Sequence, residues 1–163
     1  MVSAIFLVIA PGFVAGLTPF WISRWRMEPS FLDIPAIRIA GVLLIAVGSV
    51  GLLDSFLRFA LQGVGTPAPV FPTRHLVVTG LYRYVRNPMY VGFAVGWIGL
   101  WIVFGHANLL AIAAVAAVSL GVHLFVVLYE EPTLRRKFGA EYEVYCRNVS
   151  RWWPHLKGWD MPE

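Results

Sequence analysis

Thirteen residues, Gly80-Leu81-Tyr82-Arg83-Tyr84-Val85-Arg86-Asn87-Pro88-Met89-Tyr90-Val91-Gly92, set three tyrosines and two arginines against the start of an apolar run. Asn87 followed by Pro88 signals a helix start, because asparagine accepts from free first-turn N–H groups and proline suits the first helical position. That helix end turns unpaired N–H groups and a positive dipole toward anything bound beside it. With Arg83 and Arg86 next to it, the segment suits a small anion at a membrane surface. Anchoring to lipid headgroups calls for the same residue types.

The second constellation is Tyr129-Glu130-Glu131-Pro132. Two carboxylates at a helix C-terminus oppose the dipole, so something must compensate. Either Pro132 restarts the chain as a new helix, or the arginines of the first segment face the pair. A solvated acidic turn is the plain alternative. His75 stands five residues before Gly80, at the end of a loop stiffened by Pro67, Pro69 and Pro72. Asp54 and Arg58 are one helical turn apart and are expected to pair. His123 lies seven residues before Glu130 on roughly the same helix face. Cys146 is the single cysteine, so it forms no intramolecular disulfide, and no metal-ligand spacing surrounds it.

These residues need a scaffold, and composition defines its class. Hydrophobic residues make up 58% of the 163, charged residues 13%, and mean hydropathy is +0.69. A soluble domain carries about a quarter charged residues. The expected fold is therefore all-α, an integral membrane bundle of about four transmembrane helices with a C-terminal cytoplasmic amphipathic helical segment. The net charge of +4 is no nucleic-acid footprint, since the basic residues flank apolar segments.

The spans are expected over about 2–22, kinked at Pro11, then 36–60, 88–104 and 109–129. No basic residue precedes the first, which therefore lacks the start of a secretory signal and reads as a retained span. Gly41, Gly48 and Gly51 in the second allow close helix approach. The third and fourth form an antiparallel hairpin through a turn at 105–108. With four spans, Arg74, Arg83, Arg86, Arg135, Arg136, Lys137, Arg147, Arg151 and Lys157 share one side, against Arg24, Arg26 and Arg38 on the other. This nine-to-three asymmetry puts both termini and the arginine-tyrosine segment in the cytoplasm, and the membrane is expected to be a bacterial inner membrane. Beyond Pro132, Leu134, Phe138, Tyr142 and Tyr145 form a helical stripe that Gly139 is expected to break into two short helices. Trp152, Trp153 and Trp159 are expected to anchor the tail at the membrane interface.

In this order the pieces resemble the membrane methyltransferase family that includes isoprenylcysteine carboxyl methyltransferases and phospholipid N-methyltransferases. The signature is a glycine-aromatic segment leading into Arg-His-Pro-x-Tyr-x-Gly, then, one helical hairpin later, a Glu-Glu pair. Here these read Arg86-Asn87-Pro88-Met89-Tyr90-Val91-Gly92 and Glu130-Glu131, and the likeness continues through Phe138-Gly139-x-x-Tyr142 to Trp153-Pro154. Asn87 replaces the family's common histidine, so no titrating imidazole is expected there.

The resemblance implies one domain over 1–163, with an N-terminal hairpin (1–60) and a cofactor-binding core (67–154). It implies S-adenosylmethionine on the cytoplasmic side and a lipophilic acceptor, either a prenylcysteine-like carboxylate or a lipid amine. His75, Gly80, Tyr82, Arg86, Asn87, Pro88, Tyr90, Glu130 and Glu131 carry over as cofactor contacts. Arg83 or Arg135 would hold a carboxylate acceptor, and Glu131 would assist an amine. Membrane reductases that bind a nicotinamide dinucleotide carry a related pattern, and a non-enzymatic lipid-binding protein is the third reading.

Overall fold

The computed structural model describes residues 16–24, 26–28, 34–62, 75–105 and 109–161. They are helical, with no strand among them. The elements are α1 (Thr18–Ser23), α2 (Pro35–Gln62), a 3-10 turn (Gly80–Arg83), α3 (Pro88–Val103), α4 (Leu109–Phe125), a π turn (Val126–Glu130), α5 (Glu131–Phe138) and α6 (Ala140–Asn148). Two helical runs, Pro35–Arg58 and Leu109–Phe138, are long and apolar enough to cross a membrane. At 16 residues α3 is shorter, about 24 Å at 1.5 Å per residue against a hydrocarbon core of about 30 Å. Most of the first expected span lies outside the described residues, as do the proline loop before His75 and the turn residues 106–108.

The chain divides into two compact units, Met1–Val50 with Gly92–Gly121, and Gly51–Val91 with Val122–Glu163. In the first, α2 and α3 meet at glycines. A β-carbon on Gly41 would lie 2.9 Å from the Gly99 carbonyl oxygen, and one on Gly48 only 2.5 Å from that of Gly92 and 2.6 Å from the Gly96 nitrogen. The two backbones touch there, which is how helices gain contact in lipid, where apolar burial supplies no drive. The Glu28 N–H donates to the Phe104 carbonyl at 3.0 Å, and Arg38 donates to the Glu28 carbonyl at 2.8 Å. These bonds join the end of α3 to the start of α2. Trp97 and Trp101 of α3 are buried with Ala111 of α4, where Ala114, Val115 and Val118 also pack, as a helical hairpin requires. Ile39, Leu43, Val47 and Val50 on α2 are exposed. A helix apolar on its exposed side as well as its packed one is built for lipid.

In the second unit, Val78, Tyr142, Tyr145 and Val149 form a buried cluster against which Leu134, Phe138, Cys146 and Trp159 pack. The expected stripe is thus the inner face of α5 and α6. Gly139 separates them at φ 51°, a left-handed value that favours glycine.

The fourth expected span does not stop at Tyr129. Pro132 cannot donate, and its ring crowds the carbonyl one turn back, yet the helix continues because the π turn at Val126–Glu130 widens the ladder just before it. Proline here remodels the helix where the sequence suggested a break.

The glycine contacts predict a contrast. Gly48→Ala forces the α2–α3 backbones apart and is expected to lower thermal stability in detergent by on the order of 1–3 kcal/mol. At Gly121, where an added β-carbon meets nothing within 4 Å, alanine is expected to be neutral or to gain a few tenths of a kcal/mol from helix propensity. Equal melting temperatures for the two variants would remove the contact from the account.

Candidate active site

Glu131 is the centre of the second unit's polar chemistry. It is 2% exposed and among the largest fully buried side chains. An isolated carboxylate in such a place is prohibitively costly. Three guanidiniums resolve this. Arg151 grips it with two bonds, Nε to Oε1 at 2.6 Å and Nη2 to Oε2 at 3.0 Å. Arg86 Nη1 donates to Oε1 at 3.1 Å, and Arg135 Nη1 stands 3.4 Å from Oε2. Arg135 is largely exposed and contributes least. The bonds to Glu131 raise the pKa of Arg151 above its usual value, so its charge is permanent.

Of the two compensations anticipated for the glutamate pair, the arginines supply the one that acts, because the helix runs on through the π turn and frees no new N-terminus. Glu131 opens α5, with Pro132 in its first turn, and the arginines face it. Neighbouring residues on a helix point about 100° apart, so Glu130 has different surroundings. Its Oε2 accepts the Tyr90 hydroxyl at 3.1 Å, and the Tyr90 ring lies 6.5 Å from that of Trp152. One carboxylate is sealed by cations. The other accepts from a phenol, whose ring in turn meets an indole.

The segment before α3 is held from two sides. Gly80 has φ +57°, and a β-carbon on it would lie 1.7 Å from Arg58 Nε. Arg58 in turn donates from Nε to both Asp54 carboxylate oxygens at 3.0 Å, the expected pair, while Asp54 Oδ2 accepts the Leu81 N–H at 3.3 Å. From the other side the tail supplies partners to backbone that has no helix of its own. The Tyr145 hydroxyl donates to the Tyr82 carbonyl at 2.7 Å, the Trp159 N–H to Arg83 at 2.9 Å and the His155 N–H to Tyr84 at 3.0 Å. The Arg86 N–H donates to the Ser150 carbonyl at 2.9 Å, and Asn87 Nδ2 to that of Arg151 at 3.2 Å. Burial pushes the Tyr82 and Tyr145 phenols well above the usual range, which keeps Tyr145 a neutral donor. Pro88 opens α3, as anticipated, and the Asn87 carbonyl accepts from Val91 at 3.1 Å, but the buried Asn87 side chain donates to the tail instead of accepting from the first turn of the helix.

The structure thus brings Tyr82, Arg86, Asn87, Glu131 and Arg135 into one bonded network with the tail, with Tyr90 and Glu130 as a second pair. Arg83 pairs with Asp160 and Arg135 with Glu143, while His75 lies on an exposed bend.

Three participants were not legible as site residues. Arg151 counts in the sequence only as a basic tail residue, and no spacing links it to Glu131, 20 positions earlier. Cys146 Sγ accepts from Arg86 at 2.8 Å, so it belongs to the network. Trp152 turns inward and donates from Nε1 to His123 Nδ1 at 3.1 Å, and Trp159 packs on the core cluster. Of the three tail tryptophans expected at the interface, Trp153 alone is strongly exposed.

Comparison with known proteins accords with this arrangement. Residues 36–141 match the profile of the phospholipid methyltransferase family. The chain belongs to that family. It is 33% identical over 160 residues to methanethiol S-methyltransferase of Mycobacterium tuberculosis, covering 87% of this chain and 61% of that protein. It is 32% identical over 88 residues to probable protein-S-isoprenylcysteine O-methyltransferases of both Oryza sativa subsp. indica and subsp. japonica, covering 53% of this chain and 45% of theirs. The chain therefore spans about half to three-fifths of these relatives' lengths. No solved structure matches it significantly.

The network predicts an order of stability. Glu131→Ala leaves Arg86 and Arg151 as facing, partly buried cations and is expected to cost about 3–5 kcal/mol. Arg151→Lys keeps the charge but loses the fork, so it should fall between the parent and Arg151→Ala. Chemical denaturation in detergent tests this. If the alanine variant at position 151 unfolds at the parent's midpoint, the bidentate pair does not hold the tail.

Proposed function

We propose that this protein is an integral membrane methyltransferase that uses S-adenosylmethionine and methylates a lipophilic acceptor. The observation that carries the reading is the division of labour within the Glu130–Glu131 pair, in a chain of this family. Glu131 is consumed in holding Arg86 and Arg151, while Glu130 and Tyr90 face each other beside Trp152.

The residues present fit the cofactor's chemistry. Arg86 Nε is buried without a hydrogen-bond partner, an orphaned cationic donor of the kind a carboxylate satisfies. Glu130 suits an ammonium or ribose hydroxyls, and the faces of Tyr90 and Trp152 suit a sulfonium. His75, Gly80, Tyr82, Asn87 and Pro88 complete the proposed lining, with Gly80, Tyr82, Asn87 and Pro88 acting mainly through the backbone path they impose. When bound, S-adenosylmethionine supplies an activated methyl group. The chain's own task is then alignment and exclusion of water. Tyr90 is oriented by Glu130, and Arg86 is oriented by Glu131 and Cys146.

The acceptor decides the remaining roles. The relatives' names point to a thiol in one case and an isoprenylcysteine carboxylate in the other. For a carboxylate, Arg83 or Arg135 would hold the oxygens after exchanging Asp160 or Glu143 for substrate. A thiol or amine must lose its proton, and a carboxylate of the glutamate pair takes it. With Glu131 engaged by guanidiniums, Glu130 is the better placed of the two. The nine-to-three basic asymmetry supports a cytoplasmic site at a bacterial inner membrane, and labelling of introduced cysteines from each side tests that orientation.

Calorimetric titration of the purified protein with S-adenosylmethionine tests the central claim. Binding is expected for the parent, and Glu130→Gln should weaken it about tenfold to a hundredfold, the equivalent of ~1.5–3 kcal/mol for a charge-assisted bond. Asn87→His should retain binding, since an imidazole N–H can donate to the Arg151 carbonyl, whereas Asn87→Ala should lose that bond and bind more weakly. Undetectable binding by the folded parent would overturn the reading. Methyl transfer assayed across prenylated thiols, lipid amines and small thiols then identifies the acceptor.

A further inference from the structure

The tail beyond α6 carries an apolar feature that the network does not use. Trp153 is 81% exposed and Leu156 is fully exposed at 104%. Exposure of this kind at a floppy terminus means little, but this segment is tied down on every side. Trp152, next to Trp153, donates to His123 Nδ1 at 3.1 Å, and the two rings lie 6.0 Å apart. His155 donates its N–H to the Tyr84 carbonyl and bonds Ser150 Oγ through Nε2 at 2.6 Å. Beyond the loop, Trp159 is bonded to the Arg83 carbonyl and Asp160 to the Arg83 guanidinium. Trp153 and Leu156 are therefore presented outward by a fixed loop.

The position of that loop is informative. His123 belongs to α4, inside the apolar run that is long enough to cross a membrane. It precedes Glu130 by seven residues, roughly 10 Å along the helix at 1.5 Å per residue. Whichever side Glu130 faces, the step from Glu130 to His123 leads toward the middle of the span. The bond to His123 thus ties Trp152, and with it the neighbouring Trp153, to a level nearer the middle of the span than Glu130, while the His155 bond to Tyr84 holds the outer end of the loop, with Leu156, beside the segment before α3. Lys157, exposed at the end of the loop, has the long stem that lets an ammonium reach headgroups from an apolar level.

We propose that the loop Trp152–Lys157 is a bilayer-dipping element, with Trp153 and Leu156 seated at the boundary between headgroups and acyl chains. Trp152 is the hinge pin of this arrangement: its indole faces the helix, and its neighbours face lipid. An indole and a leucine three residues apart, with a lysine beside them, suit the membrane interface. The occupant of this surface is lipid, not a partner protein. The inference stands on the Trp152–His123 bond and does not depend on what the protein methylates.

The test places an environment-sensitive fluorophore at Leu156→Cys in a Cys146→Ser background, where serine keeps an acceptor for Arg86. The full chain is reconstituted in phosphatidylcholine–phosphatidylglycerol vesicles. Quenching by a lipid carrying a nitroxide near its glycerol is expected to exceed quenching by aqueous iodide several-fold. A label at Arg147→Cys, on the exposed face of α6, should show the reverse. Trp153→Cys is read in the same way, so that one misfolded variant does not decide the matter. Adding His123→Ala should raise iodide quenching at position 156 several-fold, because the pin is lost. Preferential iodide quenching at both loop positions overturns the proposal. So does shielding from both quenchers, which would mean that protein, a second copy included, covers the loop.

Discussion

A carboxylate that is 2% exposed can exist in an apolar protein only if cations come to it, and the organisation of the second unit follows from that requirement. Glu131 draws Arg86 from the segment before α3, Arg135 from its own helix and Arg151 from the tail. Each guanidinium is delivered by a different stretch of chain, so a single electrostatic demand links three segments widely separated in sequence. Such a cluster is not an economical source of stability, since desolvation cancels much of the Coulomb gain. Its value lies in specificity. An unpaired alternative is so costly that the tail and the arginine-tyrosine segment are held to one register.

Backbone hydrogen bonding completes what the charges begin. Residues 80–87 run irregularly, apart from one 3-10 turn, between helices that belong to a membrane. Tyr82, Val85 and Asn87 are buried, and buried backbone outside a helix ladder needs partners from elsewhere in the chain. The tail provides them at Tyr82, Arg83, Tyr84 and Arg86 through Tyr145, Trp159, His155 and Ser150. This explains why two of the three tail tryptophans, Trp152 and Trp159, are turned inward. Trp152 and Trp159 are structural parts of the site's support, and of the three only Trp153 is left strongly exposed.

The first unit depends on a different economy. Gly41, Gly48, Gly96 and Gly99 bring two backbones into contact, with spacings of seven residues on α2 and three on α3. Van der Waals contact and small residues replace the hydrophobic effect as the source of cohesion. In the helix run from Leu109 to Phe138, the π turn performs a comparable local service. It absorbs Pro132 without a break, so that Glu130 and Glu131 emerge from a continuous helix toward different partners.

Much of this was legible in the residues alone. The apolar runs of α2, α3 and α4, the helix start at Asn87-Pro88, the Asp54–Arg58 pair one turn apart, the break at Gly139 and the inner stripe of α5 and α6 all follow from local rules. Helical periodicity, capping and turn chemistry act over a few residues, and a sequence displays them directly. The ordered motif and its family were legible for the same reason. What only the tertiary structure decided is long-range: that Arg151 is the principal partner of Glu131, that Cys146 accepts from Arg86, that Trp152 reaches His123, and that the two glutamates part company. Nothing in local spacing records which of nine basic residues will neutralise a given carboxylate. That choice is made when burial makes one unpaired charge intolerable and the fold brings a particular guanidinium within reach.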